Sequence, residues 1–313
     1  MKKTFALLLM VLLLMCSVLP AFAQSAEPVK IKVLILPKFE SGEMAGDFPG
    51  EAQYYYEGYC QGGDEYEIKG GFADNKLYVK DGVALYVTGM GKVNTALSLT
   101  AVLLDERFDF SDAYILSTGC AGSAYEYGVM GDVFVITAAI DYDLGKILNQ
   151  DLMDRVYSLV KDVKVETTDR TRAFMAAAFD NAEWATRDPM VLRGTTVSGD
   201  NYWKGAYDHA NAVLMTETYQ CPDPFALTEM EDVALAVAAE RLGMLDRYII
   251  IRDSVNMDVF MNGASPASLW DPDFKQSLAS ESSVEAADIF ATAMENNFKV
   301  GRVVVDAILN GSL

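Results

Sequence analysis

The residues with chemistry to offer stand at the ends of apolar runs. Residues 85–88 and 113–117 each lead towards glycine: Gly89-Met90-Gly91-Lys92 after the first, and Gly119-Cys120-Ala121-Gly122 after the second. A glycine at a strand exit lets the backbone approach a ligand closely or take a positive φ. In open parallel sheets ligands bind at the carboxyl ends of the strands, so a site is expected at these two turns. Glu231 opens a later apolar-periodic stretch. An ionised carboxylate is a pure acceptor and can take two sugar hydroxyls. The same glutamate stands three residues after Thr228, the spacing of a capping box in which it would bond its own helix terminus. On sequence alone the cap is the favoured reading. Asn256 lies just past the apolar run 248–251. Its amide joins a donor to an acceptor, which suits the N7/O6 edge of a purine and equally suits a turn.

Several chemistries have no support. The first glycine turn lacks the GxGxxG spacing of dinucleotide folds and the Gly-Lys-Ser/Thr of a phosphate loop. His209 is the single histidine, no Gly-x-Ser-x-Gly elbow exists, and no CxxC or His-rich spacing suggests a metal. No cofactor is implied. Tyr54, Tyr55 and Tyr56 could stack a base, but a packed helix face is the first reading of that cluster.

These residues need a scaffold to position them. The chain has 313 residues, 51% hydrophobic and 22% charged, which is ample for a large core. Lys2 and Lys3, an apolar run over 5–18 and Pro20-Ala21-Phe22-Ala23 form the pattern of a cleaved secretory leader over residues 1–23. The apolar run is short for a membrane span. The expected mature chain, 24–313, is one exported domain, periplasmic or secreted. The formal net charge of −20 becomes −22 once the two leader lysines are gone. So acidic a surface argues against nucleic acid and anionic membrane as partners. Three scattered cysteines, Cys60, Cys120 and Cys221, make no disulfide framework.

Hydrophobic periodicity supplies the elements. Strands are expected at 29–36, 66–69, 76–79, 83–88, 113–117, 131–140, 190–197 and 248–251. Between the two glycine turns a helix is expected with Val93, Ala96, Leu97, Thr100, Ala101 and Leu104 as its apolar face. Residues 150–181 read as mostly helical, with a short strand at 163–165. Trp203, Tyr207 and Ala210 fall in another helix, and Pro222 and Pro224 mark a loop. A strong helix begins at 228 and ends at Gly243. The final helix covers 283–309. Alternation of strand and helix predicts an α/β fold, a mainly parallel sheet with helices on both faces.

Motif order carries a resemblance. TGMGKVNTALSLTAVL, STGCAGSAYEYGVMGDVFV, TEMEDVALAVAAERLG and IIIRDSVNMD follow one another as in the nucleoside phosphorylase superfamily. FPGE at 48–51, FDFSDAYIL at 108–116, GDNYWKG at 199–205 and NNFKVGRVVVDAI near the end resemble the purine nucleoside permease family more closely. The resemblance implies a three-layer α/β sandwich around a mixed, mostly parallel and partly barrel-like sheet. It implies a purine nucleoside bound across the strand ends. Gly89, Gly91 and Lys92 would line the pocket beside the sugar or an anion. Thr118, Gly119 and Cys120 would lie under base and ribose, and Met230 and Glu231 would hold the ribose. Asn256 would face the purine N7; it has no acidic proton to give, but can stabilise the departing base by hydrogen bonding.

Two functions follow. One is an enzyme that cleaves the N-glycosidic bond, a nucleosidase or a phosphorylase with phosphate as co-substrate. The other is a non-catalytic nucleoside-binding component that delivers its ligand to a separate membrane transporter. Phosphorolysis calls for a cationic cradle. Residues 37–51 hold no arginine, and the first glycine turn offers only Lys92. In the family a His tends to stand where this chain has Lys204. The resemblance also brings in a homo-oligomer, in which a neighbouring chain could supply the missing arginine from among Arg170, Arg172 and Arg187.

Overall fold

The computed structural model describes residues 27–179, 181–200, 203–265 and 283–313; the expected leader lies outside them. Short runs such as VLIL and VFVITAAI have no polar side to offer solvent, so they form strands covered on both faces. In chain order the strands are β1 (Val29–Lys30), β2 (Val33–Leu36), β3 (Asp64–Glu67), β4 (Lys76–Lys80), β5 (Val83–Tyr86), β6 (Phe108–Asp109), β7 (Tyr114–Ser123), β8 (Val133–Ile140), β9 (Gly145–Ile147), β10 (Val191–Ser198), β11 (Phe225–Glu229) and β12 (Tyr248–Met257). The helices are α1 (Gln53–Tyr55, widening into a π-turn over Tyr56–Cys60), α2 (Lys92–Leu103), α3 (Gln150–Val160), α4 (Asp169–Ala178), α5 (Ala182–Thr186), α6 (Ala206–Thr218), α7 (Asp232–Arg241) and α8 (Ser283–Asn310).

The main sheet runs β11-β10-β8-β12-β7-β2-β5-β4-β3, with β9 beside β8. Its longest ladders, β7 with β12 and β8 with β10, are parallel. β11 also pairs antiparallel with β7 through Leu227–Ser123 and Thr228–Gly122. That pairing closes β7, β12, β8, β10 and β11 into a small barrel. Helix α8 covers one face, against β12 and β7, while α7 with α2 covers the other. This is the expected three-layer α/β sandwich around a mixed, partly barrel-like sheet.

Local expectations changed in several places, among them Trp203, which lies before α6 and not within a helix. The second glycine segment is no turn: Gly119 to Gly122 lie within β7, paired to β12 from Arg252–Gly119 through Asn256–Gly122. The last strand likewise runs on to Met257, so Asn256 is a strand residue beside a register shift. The run 29–36 is split, because β1 leaves the main sheet to pair with β6. No strand forms at 163–165. Residues 225–229, hidden between prolines and a helix, form β11, and the helix after it starts at Asp232.

Helix α2 turns a different face inward from the one its periodicity suggested. Thr95, Ser98, Leu99 and Val102 are buried, while Val93, Leu97 and Leu104 are 67%, 60% and 63% exposed. Hydrogen bonds explain the choice. Ser98 Oγ donates to Thr88 O at 2.8 Å and Thr95 Oγ1 to Thr88 Oγ1 at 3.0 Å, so two polar residues dock the helix on the strand exit. The tyrosine cluster is a packed face. Tyr54 and Tyr55 lie against Phe298, and Tyr56 against Tyr78.

Candidate active site

A cavity of about 310 Å³ opens at the carboxyl ends of β2, β7, β11 and β12. Its floor is an ion cluster in the protein interior. Arg252, on β12, is fully buried. Its Nε donates to Asp232 Oδ2 at 2.8 Å, one terminal nitrogen to Glu231 Oε2 at 3.0 Å and the other to Cys120 O at 3.0 Å. Glu229 Oε2 lies 3.4 Å away. Burial opposes the charge of the guanidinium. The carboxylates of Asp232, Glu231 and Glu229 outweigh that, and Arg252 holds its proton well above the ordinary range. Asp232 is correspondingly held below the usual carboxylate range: burial opposes its charge, and Arg252 and Lys38 prevail.

The remaining carboxylates are less fully compensated. Glu229 is pushed up to about 7 by burial and the neighbouring Asp232 charge. Glu51 is pushed up by burial, against the pull of Arg252 and Lys38. Glu51 Oε2 accepts Lys38 N at 2.7 Å and Oε1 accepts Cys120 N at 2.9 Å, fixing the carboxylate at the cavity wall. Gly119 makes room for it: at φ +138° its missing Cβ would lie 2.5 Å from that carboxylate. Lys38 is lowered to about 8 by burial and by Arg252. Its Nζ donates to Leu36 O, Ser117 Oγ and Thr118 O, all neutral acceptors.

Glu231 is not the cap that its spacing suggested. Strand β11 carries Thr228 away from the helix end, and Glu229 caps α7 instead. Glu229 Oε2 accepts Glu231 N at 2.5 Å and Asp232 N at 2.8 Å, while its other oxygen accepts Ser198 Oγ. Glu231 is thereby released towards the cavity. Its Oε1 accepts Gly91 N at 3.0 Å, and its Oε2 accepts Arg252 and, at 3.3 Å, Met230 N. A carboxylate oxygen has two lone pairs, so Oε1 retains a free one.

The structure gathers Cys120, Met230, Glu231 and Asn256 at this cavity, with Gly91 bonded to Glu231 at its edge. Gly122 lets the Asn256 amide lie on β7, since a Cβ there would meet Asn256 Oδ1 at 2.5 Å. Other expected residues lie elsewhere. Gly89 lines a neighbouring groove of about 380 Å³. Thr118 is buried behind the wall and Gly119 backs Glu51. Lys92 faces another surface, its Nζ 3.0 Å from Asp141 Oδ2. His209 also lies outside the cavity. It is buried and paired through Nδ1 with Asp258 Oδ2 at 2.6 Å.

None of the three candidate arginines lines the cavity of this chain. Arg172 pairs with Asp188, Arg187 with Asp132, and Arg170 is exposed. Arg252 is the arginine of the cavity. It stood in the RDSVNMD motif, as Glu51 stood in FPGE, but neither spacing disclosed a role. Lys38 and Glu229 also went unread, and Trp203 and Lys204 were not placed at the site. Their signal is spatial: five separate chain segments meet at one end of the sheet. Cys60, Cys120 and Cys221 are unpaired, and burial, with Glu51 adding to it, pushes the Cys120 thiol far up, away from nucleophilic character. Among the described residues no group of His, Cys, Asp and Glu is arranged to hold a metal.

Fold and site together define a nucleoside phosphorylase-type protein. The same fold is seen in a 5′-methylthioadenosine/S-adenosylhomocysteine nucleosidase from Neisseria meningitidis, crystallised with methylthio-immucillin-A. It has a TM-score of 0.56 and 16% identity over 88% of this chain and 99% of that one. The nucleosidase of Colwellia psychrerythraea, in complex with adenine, aligns at 0.52 and 17% over 89% and 98%. In sequence, a 5′-methylthioadenosine/S-adenosylhomocysteine nucleosidase of Anoxybacillus flavithermus is 28% identical over 54% of this chain and 66% of its own length. A probable purine nucleoside permease of Schizosaccharomyces pombe is 24% identical over 59% and 68%. The profile of the purine nucleoside permease (NUP) family matches residues 30–148 and 146–312. The chain belongs to the purine nucleoside permease family.

Proposed function

We propose that this protein binds a purine nucleoside and hydrolyses its N-glycosidic bond, and that residues 1–23 direct its export. The observation that carries the reading is Glu51. It is a buried carboxylate with raised proton affinity, fixed at the cavity wall beside Arg252. A general base works best with a pKa drawn towards the operating pH. Glu51 takes the proton of a water as its oxygen attacks C1′. The bonding pair between C1′ and N9 leaves with the purine, and the Asn256 amide stabilises the charge that collects there. Glu231 holds the ribose hydroxyls, and the excess of carboxylates favours the positive charge that develops on the sugar.

The same electrostatics disfavour phosphate. Arg252 is the cavity's arginine, and Glu229, Glu231 and Asp232 already engage it. A phosphate brought to it would face Glu51 and Glu231 in a low-dielectric site. The Lys38 ammonium is turned to neutral oxygens behind the wall. Water is the nucleophile that fits.

The transport-component reading draws on the family's description and on Asn256, an amide with no acidic proton for the leaving base. Among the described residues no helix is long and apolar enough to cross a membrane. Such a role would therefore need a separate transporter. One assay decides. Incubated with inosine or adenosine, the protein lacking residues 1–23 is expected to release free base without phosphate. A strict phosphate requirement overturns hydrolysis. Binding without release leaves the transport component.

A further inference from the structure

We infer that the base taken by this cavity carries an oxo group at purine position 6, of the hypoxanthine and guanine class, and that Lys204 with Asn256 selects it. The inference rests on the nucleoside reading above. Lys204 sits just before α6 and lines the cavity together with Asn256 and Val255. Gly205 N donates to Asp258 O at 2.5 Å, which pins this segment against the end of β12, two residues past Asn256. Lys204 and Asn256 thus line one cavity from two segments that this hydrogen bond ties together.

The Lys204 ammonium has no acceptor within hydrogen-bond reach among the described residues; its backbone nitrogen alone is bonded, to Asp208. Asp258 is the acid whose charge it feels, yet no ion pair joins the two, and each Asp258 oxygen is held by another partner. Oδ2 meets His209 Nδ1 at 2.6 Å, and Oδ1 accepts Tyr125 N at 3.0 Å. Burial pulls the Lys204 proton affinity down and Asp258 offsets this only in part. A half-buried ammonium in this condition lacks an oxygen, and the cavity is where one can arrive.

Purine edges differ at that point. A 6-oxopurine offers two adjacent acceptors, N7 and O6, whereas a 6-aminopurine offers N7 beside an N–H donor. Lysine has donors only, while an asparagine amide can donate to N7. With Asn256 on N7, Lys204 meets O6 of an oxopurine as a charge-assisted hydrogen bond. With adenine it meets another donor. The contact strengthens as the bond to the sugar breaks, because the departing oxopurine gathers negative charge on O6.

The test measures equilibrium binding of hypoxanthine and adenine to the protein lacking residues 1–23 by titration calorimetry, with inosine and adenosine turnover alongside. Hydrogen bonds to charged groups set the expected scale. Wild type should prefer hypoxanthine about 10- to 100-fold. Lys204→Met should erase the preference by weakening hypoxanthine, with adenine affinity within about threefold. Lys204→Arg should restore much of it. A wild-type preference for adenine, readable without any variant, overturns the inference. So does an equal loss for both bases in a folded Lys204→Met protein. Base preference without turnover of either nucleoside leaves this inference standing and removes the hydrolytic reading. Failure to bind either base removes both.

Discussion

Two parts of the cavity treat charge in opposite ways. At the floor, Arg252 is enclosed by acids on several sides, two of them bonded to it within 3.0 Å. Lys204, by contrast, feels the charge of Asp258 without an ion pair to it, and that acid is bonded to His209 and Tyr125. A cation enclosed by its own counter-charges is a fixed part of the scaffold, and the surplus carboxylates become the working groups. A cation left without a partner is completed by what binds. In the proposed reaction the floor would meet a sugar that turns positive, and Lys204 a base that turns negative.

The comparison breaks most directly at Arg252. Arg252→Met leaves buried carboxylates uncompensated, and removing one partner of such a cluster costs about 3–5 kcal/mol. Urea unfolding should show that loss, whereas Lys204→Met should change stability little. Equal losses would mean that the two parts do not differ. Next comes Glu51→Gln. It keeps the shape but removes the base, so base release should fall about 10²- to 10⁴-fold while nucleoside binding persists. Unchanged turnover would take Glu51 out of the chemistry. Glu231→Ala should weaken nucleoside affinity about tenfold or more, measured by calorimetry. Helix α7 should keep its stability, because Glu229 and not Glu231 caps it. A drop in melting temperature with affinity intact would return Glu231 to a structural role.

The smallest effect concerns pH. Glu229 binds its proton more tightly folded, at about 7, than exposed, at 4.5. Its contribution to stability is full below 4.5 and is lost as pH rises through 7. The span is on the order of a few kcal/mol at most. Glu229→Gln should flatten that part of the stability profile in denaturant titrations run from pH 4.5 to 8. An unaltered slope would mean that Glu229 is charged throughout.

The architecture was legible because it depends on composition and alternation. Wholly apolar runs such as those of β2 and β8 can only be covered strands, and motif order placed them in one superfamily. Failures arose where tertiary contacts override local pattern. Thr95 and Ser98 are polar by type, yet they are the residues α2 buries, because Thr88 waits for them. Thr228-x-x-Glu231 has the letters of a capping box, but β11 runs through Thr228 and hands the cap to Glu229. Gly119 to Gly122 read as a turn because glycine is common in turns; β12 pairs them into a strand. The site was half legible. Met230, Glu231 and Asn256 were named through the family resemblance, while local pattern alone favoured a cap for Glu231 and a turn for Asn256. Glu51 and Arg252 stand about 200 residues apart in sequence, and their meaning exists only once β7 and β12 lie side by side.

Gly119 has a consequence for sorting family members by sequence. The Glu51 carboxylate occupies the volume that any side chain at position 119 would need. The two positions are therefore one character, not two. A relative with glycine and glutamate here has a seat for the carboxylate and the carboxylate to fill it. A relative with a larger residue at 119 has no seat, whatever its glutamate. Under the hydrolytic proposal, that single pair of positions is where members holding the Glu51 carboxylate would part from members without it.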